Sequence, residues 1–234
     1  MKFLKWTLIT LLSVGIVLLI SIEAYSNYKL GLILPKKETA SERYTEVIQD
    51  SFWVSYGETG NIEIKPYSLT EFTSRFLFAV AIYKHGNHLN YMPKGSTLAY
   101  DLTRKIHLKQ KLNMNNWHLD SAIVASWVSK NYSAEEAINL LIELQYFGNN
   151  DFGLDKAAMH YFEVSSSNLT LAQIITLVAI THSPSRYADC NNKAMLILRA
   201  EYIANKLKQY NSSKYGGFRF ELPSFTAKDG LNCQ

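Results

Sequence analysis

YSAEEAINLLIELQYFGNNDFGLDKAAMHYFEVSSSNLTLAQIITLVAITHSPSRY, residues 132–187, is punctuated as a run of helices. Ser133 offers a hydroxyl to first-turn amides, and Glu135 and Glu136 suit the positive end of a helix dipole. A helix is therefore expected to start there and continue through INLLIELQYF to Gly148. Further helices are expected over Asp155–Phe162 and Thr170–Thr181, with Tyr146, Phe147, Tyr161 and Phe162 packing the core.

The same pattern extends outward. A short helix is expected over Thr39–Ser51, with Ser41 as its N-cap and Tyr44, Val47 and Ile48 on one face. NIEIKPY, residues 61–67, alternates like a strand but stops at Pro66. Ser68 or Thr70 caps a helix through EFTSRFLFAVAIYKH, which Gly86 ends. Gly95-Ser96-Thr97 opens LAYDLTRKIHL, with the Ser or Thr as cap, and helices over Leu119–Lys130 and Asn191–Gln209 complete a mainly α body. The tail after Tyr210, with Gly216-Gly217 and Pro223, reads as irregular.

At 234 residues and 47% hydrophobic content, the chain can bury one good core. Its 24 Lys and Arg are scattered among 20 acids, a net +4, which gives no basic block for nucleic acid. Lys2 and Lys5 precede an uncharged run from Trp6 to Ile22, close to the roughly 20 residues that cross a bilayer core. That run reads as a transmembrane helix or a signal peptide. Around Ile22-Glu23-Ala24 only Ala24 is small, which favours an uncleaved anchor. The two lysines would stay in the cytoplasm and put the rest of this single-pass chain outside. The expected organisation is an anchor over 1–24, a stalk over 25–65, a body over 66–210 and an extension over 211–234. In an oxidising compartment Cys190 and Cys233 are either a disulfide tying the tail to the body or two unlinked thiols, and neither has the spacing of a metal site.

Residues 132–187 resemble the second half of glycosyltransferase family 51, the peptidoglycan polymerases. Tyr132-Ser133 with Glu135-Glu136 is similar to the start of the helix carrying that family's YLN motif, and Tyr146-Phe147-Gly148 to its YFG end. Phe152-Gly153, Ala157-Ala158 and Tyr161-Phe162 match the glycine, paired alanines and YF that follow. Leu169-Thr170-Leu171-Ala172 matches the next helix start, Pro184 and Tyr187 the closing P-x-x-Y, and Arg199 an arginine in the last helix. Upstream, Gly95-Ser96-Thr97 and Leu102 through Ile106 are similar to the GGST-I-T-Q-Q-L-A-K-N-L segment. The resemblance covers roughly residues 66–205. It implies a lysozyme-like helical domain, a single N-terminal anchor in a bacterial cytoplasmic membrane, and a cleft that in active members holds lipid II and a growing glycan.

The resemblance also implies where chemistry should sit. In active members a glutamate of an E-D-x-x-F-x-x-H motif takes the proton of the attacking glycan hydroxyl, a task suited to a carboxylate of tunable pKa. Here Ala81-Ile82-Tyr83-Lys84 occupies that place, without an acid. The stretch from there to Lys94-Gly95-Ser96-Thr97 is shorter than the family's, so a mobile donor-site segment is missing. A second glutamate, in an R-K-x-x-E pattern that holds the leaving pyrophosphate, maps onto Ser121, with Asp120 beside it and Trp117-His118 for the basic pair. Tyr100-Asp101 replaces the Gln-Gln, and Glu143 the Asn of YLN. The candidate catalytic carboxylates are therefore Asp120, Asp101 and Glu143, two of which would be needed for an acid/base pair. Ser96, Thr97, Arg104 and Lys105 are the candidate phosphate contacts, against plain readings as a helix cap and a solvated face. His85 and His88, whose metal partners would be Asp101 or Asp120, are read as residues of a glycine-containing loop rather than metal ligands.

Two functions follow from that resemblance. One is a degenerate member that binds lipid II, glycan strand or a cell-wall synthesis protein at the membrane without turnover. The other is an active, divergent polymerase, to which a divalent cation would belong; no other cofactor is assigned.

Overall fold

The computed structural model describes residues 2–81, 91–187 and 192–225. These are mainly helical, and among them no strand forms; the one β-type pairing is an isolated antiparallel bridge between Tyr146 and Phe152. The helices are α1 Lys2–Ile33, α2 Glu46–Ser55, α3 Leu69–Ala81, α4 Ser96–Gln110, α5 Trp117–Asn131 and α6 Ala134–Leu144. They continue as α7 Leu154–Phe162, α8 Leu171–Ile180, α9 Pro184–Tyr187, α10 Lys193–Tyr210 and α11 Ser212–Tyr215, with a 3-10 turn at Ser166–Asn168.

The chain divides into two compact units, one of Met1–Lys37 with Ile64–Tyr132, the other of Glu38–Glu63 with Ser133–Gln234. In the first, α4 lies along α5, and α1, α3 and α5 pack together. Leu98, Ala99, Leu102 and Ile106 of α4 and Ile123, Val124, Ala125 and Val128 of α5 fall on their inner faces and are buried. Ile22 and Leu30 of α1, with Phe72 and Leu119, close over Leu69, Ala122 and Ile123. The helix over Ile9–Ile33 is long and apolar enough to cross a membrane. It does not stop at Ala24, because no proline stands before Pro35, immediately ahead of which Leu34 takes φ 49°. The expected stalk is thus partly helix: its first residues extend α1, and Glu46–Ser55 is α2.

In the second unit α8 is buried from Ile174 to Ile180 and packs against α2, α7 and α10. Trp53 is fully enclosed, its indole N–H donating to the Gly60 carbonyl at 3.0 Å. Phe147 meets Phe52 edge-on at 6.4 Å, and the buried Tyr161 hydroxyl donates to the Phe147 carbonyl at 2.9 Å. Burial raises the pKa of that tyrosine, as it does for Tyr67 in the first unit.

Several local expectations give way to backbone chemistry. NIEIKPY forms no strand; Pro66 has no N–H, and Lys65 N–H donates to the Lys94 carbonyl at 3.0 Å. α6 ends at Leu144 rather than Gly148, because Gly148, Asn149 and Asn150 all take positive φ and fold the YFG stretch into a tight turn. The turn is closed by Phe147 N–H to Asp151 O at 2.9 Å and Gly153 N–H to Gln145 O at 2.8 Å. α2 begins at Glu46 rather than Thr39, since the Ser41 hydroxyl is used elsewhere. α4 is preceded by Gly95 at φ 75° with no side-chain cap, so Ser96 and Thr97 are its first residues and not its cap. The expected caps at Ser68 and Ser133 form, and Thr170 caps α8; the last two are reciprocal capping boxes with Glu136 and Gln173. Replacing Ser133 with Ala is expected to cost about 1 kcal/mol, read as a lowered melting temperature of the detergent-solubilised protein.

Candidate functional site

The candidate residues of the first unit sit at the start of α4 and the start of α5. Ser96 is buried, its N–H bonded to the Pro93 carbonyl at 3.0 Å, while Thr97 is half-buried in the next position. One turn and two turns on, Asp101 and Lys105 form an i,i+4 ion pair at 3.0 Å, and Arg104 points to solvent. Asp101 and Lys105 are thus brought together, but as partners of each other.

Asp120 is 0% exposed. Its Oδ2 accepts from the backbone N–H groups of Asn115 and Asn116, each at 2.9 Å, and its Oδ1 faces Lys29 Nζ of α1 at 3.4 Å. The sequence accounts for this placement: Asn116 caps α5 by accepting from Leu119 N–H at 3.3 Å, and an acid in the first turn complements the dipole. The same carboxylate organises the preceding loop and neutralises a nearly buried ammonium. Trp117 and His118, expected in place of a basic pair, are exposed in that first turn, with Trp117 edge-on to His107 at 5.1 Å.

In the second unit Glu143 Oε2 accepts from Ser41 N–H at 2.6 Å and from the Ser41 hydroxyl at 2.9 Å. The Tyr44 N–H reaches Asn139 Oδ1 at 3.0 Å, and the Gln49 amide reaches it at 3.1 Å, so the segment entering α2 is strapped to α6. A Cβ on Gly153 would meet the Glu143 carbonyl oxygen at 3.0 Å, which together with φ 90° explains a glycine there. Glu42, Tyr44 and Asp155 complete the strap. A hydrogen bond donated to the Asp155 carboxylate, burial, and the Asp155 and Glu143 charges all raise Glu42. Burial works against Asp155, but hydrogen bonds from Ser166, Glu42 and Tyr44 outweigh it and lower its pKa. Of the two, Glu42 is therefore the first to take up a proton as the pH falls. Tyr44 is raised, first by burial and then by those carboxylates.

Arg199 donates to the Ser55 carbonyl at 3.1 Å and lies over the Tyr202 ring at 5.1 Å, so it closes the end of α2. Ala81 is exposed at the last position of α3, and the only acid of that helix, Glu71, pairs with Arg75 at 2.9 Å. Ile82-Tyr83-Lys84, His85, His88, Cys190 and Cys233 lie outside the described residues. Among the described residues no group of three His, Cys, Asp or Glu side chains is placed to hold a metal ion. The sequence offered no signal for Glu42, Tyr44 and Asp155 as one cluster, because they are brought together by long-range packing of residues that look like ordinary surface positions.

Residues 77–208 match the Transglycosylase family. The penicillin-binding protein 2a of Streptococcus pneumoniae is 31% identical over 98 residues, 42% of this chain and 13% of that protein. The biosynthetic peptidoglycan transglycosylase of Methylobacillus flagellatus is 28% identical over 117 residues, 50% of each chain. That of Chromohalobacter salexigens is 28% identical over 102 residues, 38% of this chain and 44% of that protein. The chain thus spans half or less of the length of these curated relatives.

Proposed function

Because the chain belongs to the transglycosylase family, as a divergent member, we propose that it binds lipid II or glycan strand at the outer face of a bacterial cytoplasmic membrane without polymerising it. It would be held there by α1, with its N-terminus in the cytoplasm, and serve a cell-wall synthesis protein as a scaffold or regulator. The observation that supports this reading is that Ala81-Ile82-Tyr83-Lys84, the stretch that the resemblance puts in place of the proton-accepting glutamate, contains no acid. An acceptor hydroxyl bound there meets no base, and loss of a general base costs on the order of a hundredfold to ten-thousandfold in rate. Asp120, the nearest substitute for the second glutamate, is buried and committed to two amides and Lys29. Glu143 is committed to Ser41.

The second reading, an active divergent polymerase, draws its support from Asp101, whose side chain is partly exposed on α4 beside Lys105. There the carboxylate could take the acceptor proton while Lys105, Arg104, Ser96 and Thr97 held phosphate. The two readings separate in one experiment: labelled lipid II offered to the detergent-purified full-length protein, with polymer and bound ligand measured together. Binding without polymer is expected. Glycan chains that vanish on Asp101→Ala would overturn the degenerate reading and name the base, and neither binding nor polymer would remove lipid II from the proposal.

A further inference from the structure

α10 is apolar on two opposite sides. Leu196, Ala200, Ile203 and Leu207 are buried, on the side where the helix packs against α8 and α2 of its own unit. Met195, Leu198 and Tyr202 fall on the other side and are 42%, 60% and 42% exposed. Exposed apolar residues scattered singly are ordinary, but three large ones in line along two turns are costly in water.

The spacing on that outer side is regular. Met195, Leu198 and Tyr202 stand three and then four residues apart, and the exposed Asn205 and Gln209 continue the same alternation to the end of the helix. Alternating intervals of three and four keep one seam facing a second helix, with the residues next to the seam free to pair in charge across it.

Charge says which helix covers it. The exposed Glu201 borders the seam on one side; Arg199 and Lys206 border it on the other, lying over the Tyr202 ring at 5.1 and 5.7 Å. When two identical helices pair in parallel, a residue on the first border meets the residue five positions further on in the second copy. Glu201 then meets Lys206 of the second copy, and the same bridge recurs on the opposite edge. An antiparallel pair would instead set Glu201 against Glu201 and Arg199 against Arg199. In the parallel pair Leu198 meets Leu198 and Tyr202 meets Tyr202, while Asn205 meets Asn205, a polar match that favours a single register.

We propose that the outer side of α10 is a contact between two copies of this chain, paired in parallel with Leu198 and Tyr202 at its centre and a Glu201–Lys206 bridge along each edge. The seam covers about two heptads, less than a standard stable interface buries. Copies that α1 would hold in one membrane meet at a raised effective concentration, which lets so short a seam pair. This goes beyond the proposed lipid II binding and does not depend on it.

The test uses full-length protein in isolated bacterial membranes, with Cys190 and Cys233 changed to Ser and a single cysteine returned by Leu198→Cys. Met159→Cys, 56% exposed on α7 of the same unit, is the reference for chance collision. On oxidation with copper phenanthroline, the Leu198→Cys chain is expected to give several-fold more covalent dimer than the Met159→Cys chain. Adding Glu201→Lys should cut that yield several-fold, and adding Lys206→Glu to it should restore the yield. Equal yields from the two single-cysteine chains would overturn the contact. Differently tagged Leu198→Cys and Tyr202→Cys chains that join to each other in preference to their own kind would overturn the parallel arrangement. A yield indifferent to Glu201→Lys, or not restored by Lys206→Glu, would overturn the paired charges. None of these readouts involves lipid II, so failure here leaves the proposed function untouched, and the reverse.

Discussion

Asp120→Ala is expected to destabilise the first unit by about 3 to 5 kcal/mol, the range for removing one partner of a buried ion pair. The carboxylate is fully buried, and Lys29 Nζ at 3.4 Å is itself nearly buried, so the alanine leaves an ammonium without its counter-charge. The two backbone N–H groups of Asn115 and Asn116 lose their acceptor as well, and with it the turn that starts α5. Thermal unfolding in detergent, followed by near-ultraviolet circular dichroism, measures this. Asp101→Ala is the comparison, because its i,i+4 pair with Lys105 is partly solvated and contributes only about 0.3 to 0.5 kcal/mol. Lys29→Met with Asp120→Asn should cost less than the two single changes added together, since the asparagine keeps an acceptor for the amides and neither charge is left alone. Additive losses, or an Asp120→Ala shift no larger than that of Asp101→Ala, would sink the ion-pair account.

That result bears on how an Asp120 variant without activity is to be read. A positioning or folding role predicts loss of structure in parallel with any loss of lipid II binding. A role as catalytic base predicts folded protein that has lost polymer alone. The buried geometry favours the first.

The helical body was legible because its signals are local. Ser133 with Glu136 and Thr170 with Gln173 are capping boxes written in four consecutive residues, and both form. Buried aromatics at Phe147, Tyr161 and Phe162 were likewise visible as apolar residues at helix-compatible spacing. What the sequence concealed was the use of polar residues across long separations. Ser41 looks like an N-cap until Glu143, 102 residues away, is found to hold its hydroxyl and N–H. Asp120, a candidate catalytic acid by its spacing, has Lys29 of the distant α1 as its ion partner. Gly95, read as an introduction to the Ser-Thr cap, occupies the cap position itself because φ 75° suits no other residue as well. The end of α6 was misplaced because four-residue turn chemistry, Gly148-Asn149-Asn150 at positive φ, outweighed an apolar pattern that continues through Phe147.

A comparable loss is expected in the second unit on Asp50→Ala, about 3 kcal/mol or more, although this residue belongs to no motif. Asp50 is buried in α2, and its Oδ2 accepts from the Tyr215 hydroxyl at 2.5 Å and from Lys214 Nζ at 3.0 Å. Lys214 also reaches Glu46 at 3.2 Å, so α11 is fastened to α2 by a shared cation. Burial opposes the charge on Lys214, but the Asp50 and Glu46 carboxylates outweigh it and raise its pKa. Burial followed by the Asp50 charge pushes Tyr210 up to about 12, and burial followed by the hydrogen bond to Asp50 raises Tyr215 further. Removal of the carboxylate strands a tyrosine hydroxyl and a partly buried ammonium at once, and α11 loses its fastening. Asp50→Asn, which keeps an acceptor but no charge, should recover part of the loss, and Tyr215→Phe should cost about 1 to 3 kcal/mol. The sign with pH follows from Lys214: its folded pKa is raised, so its contribution is complete at neutral pH and is lost as the pH climbs through and beyond the usual lysine range. Melting temperatures of wild type and Asp50→Ala measured across alkaline pH should therefore converge, and a constant gap would show that the cost comes from packing rather than from the ion pair.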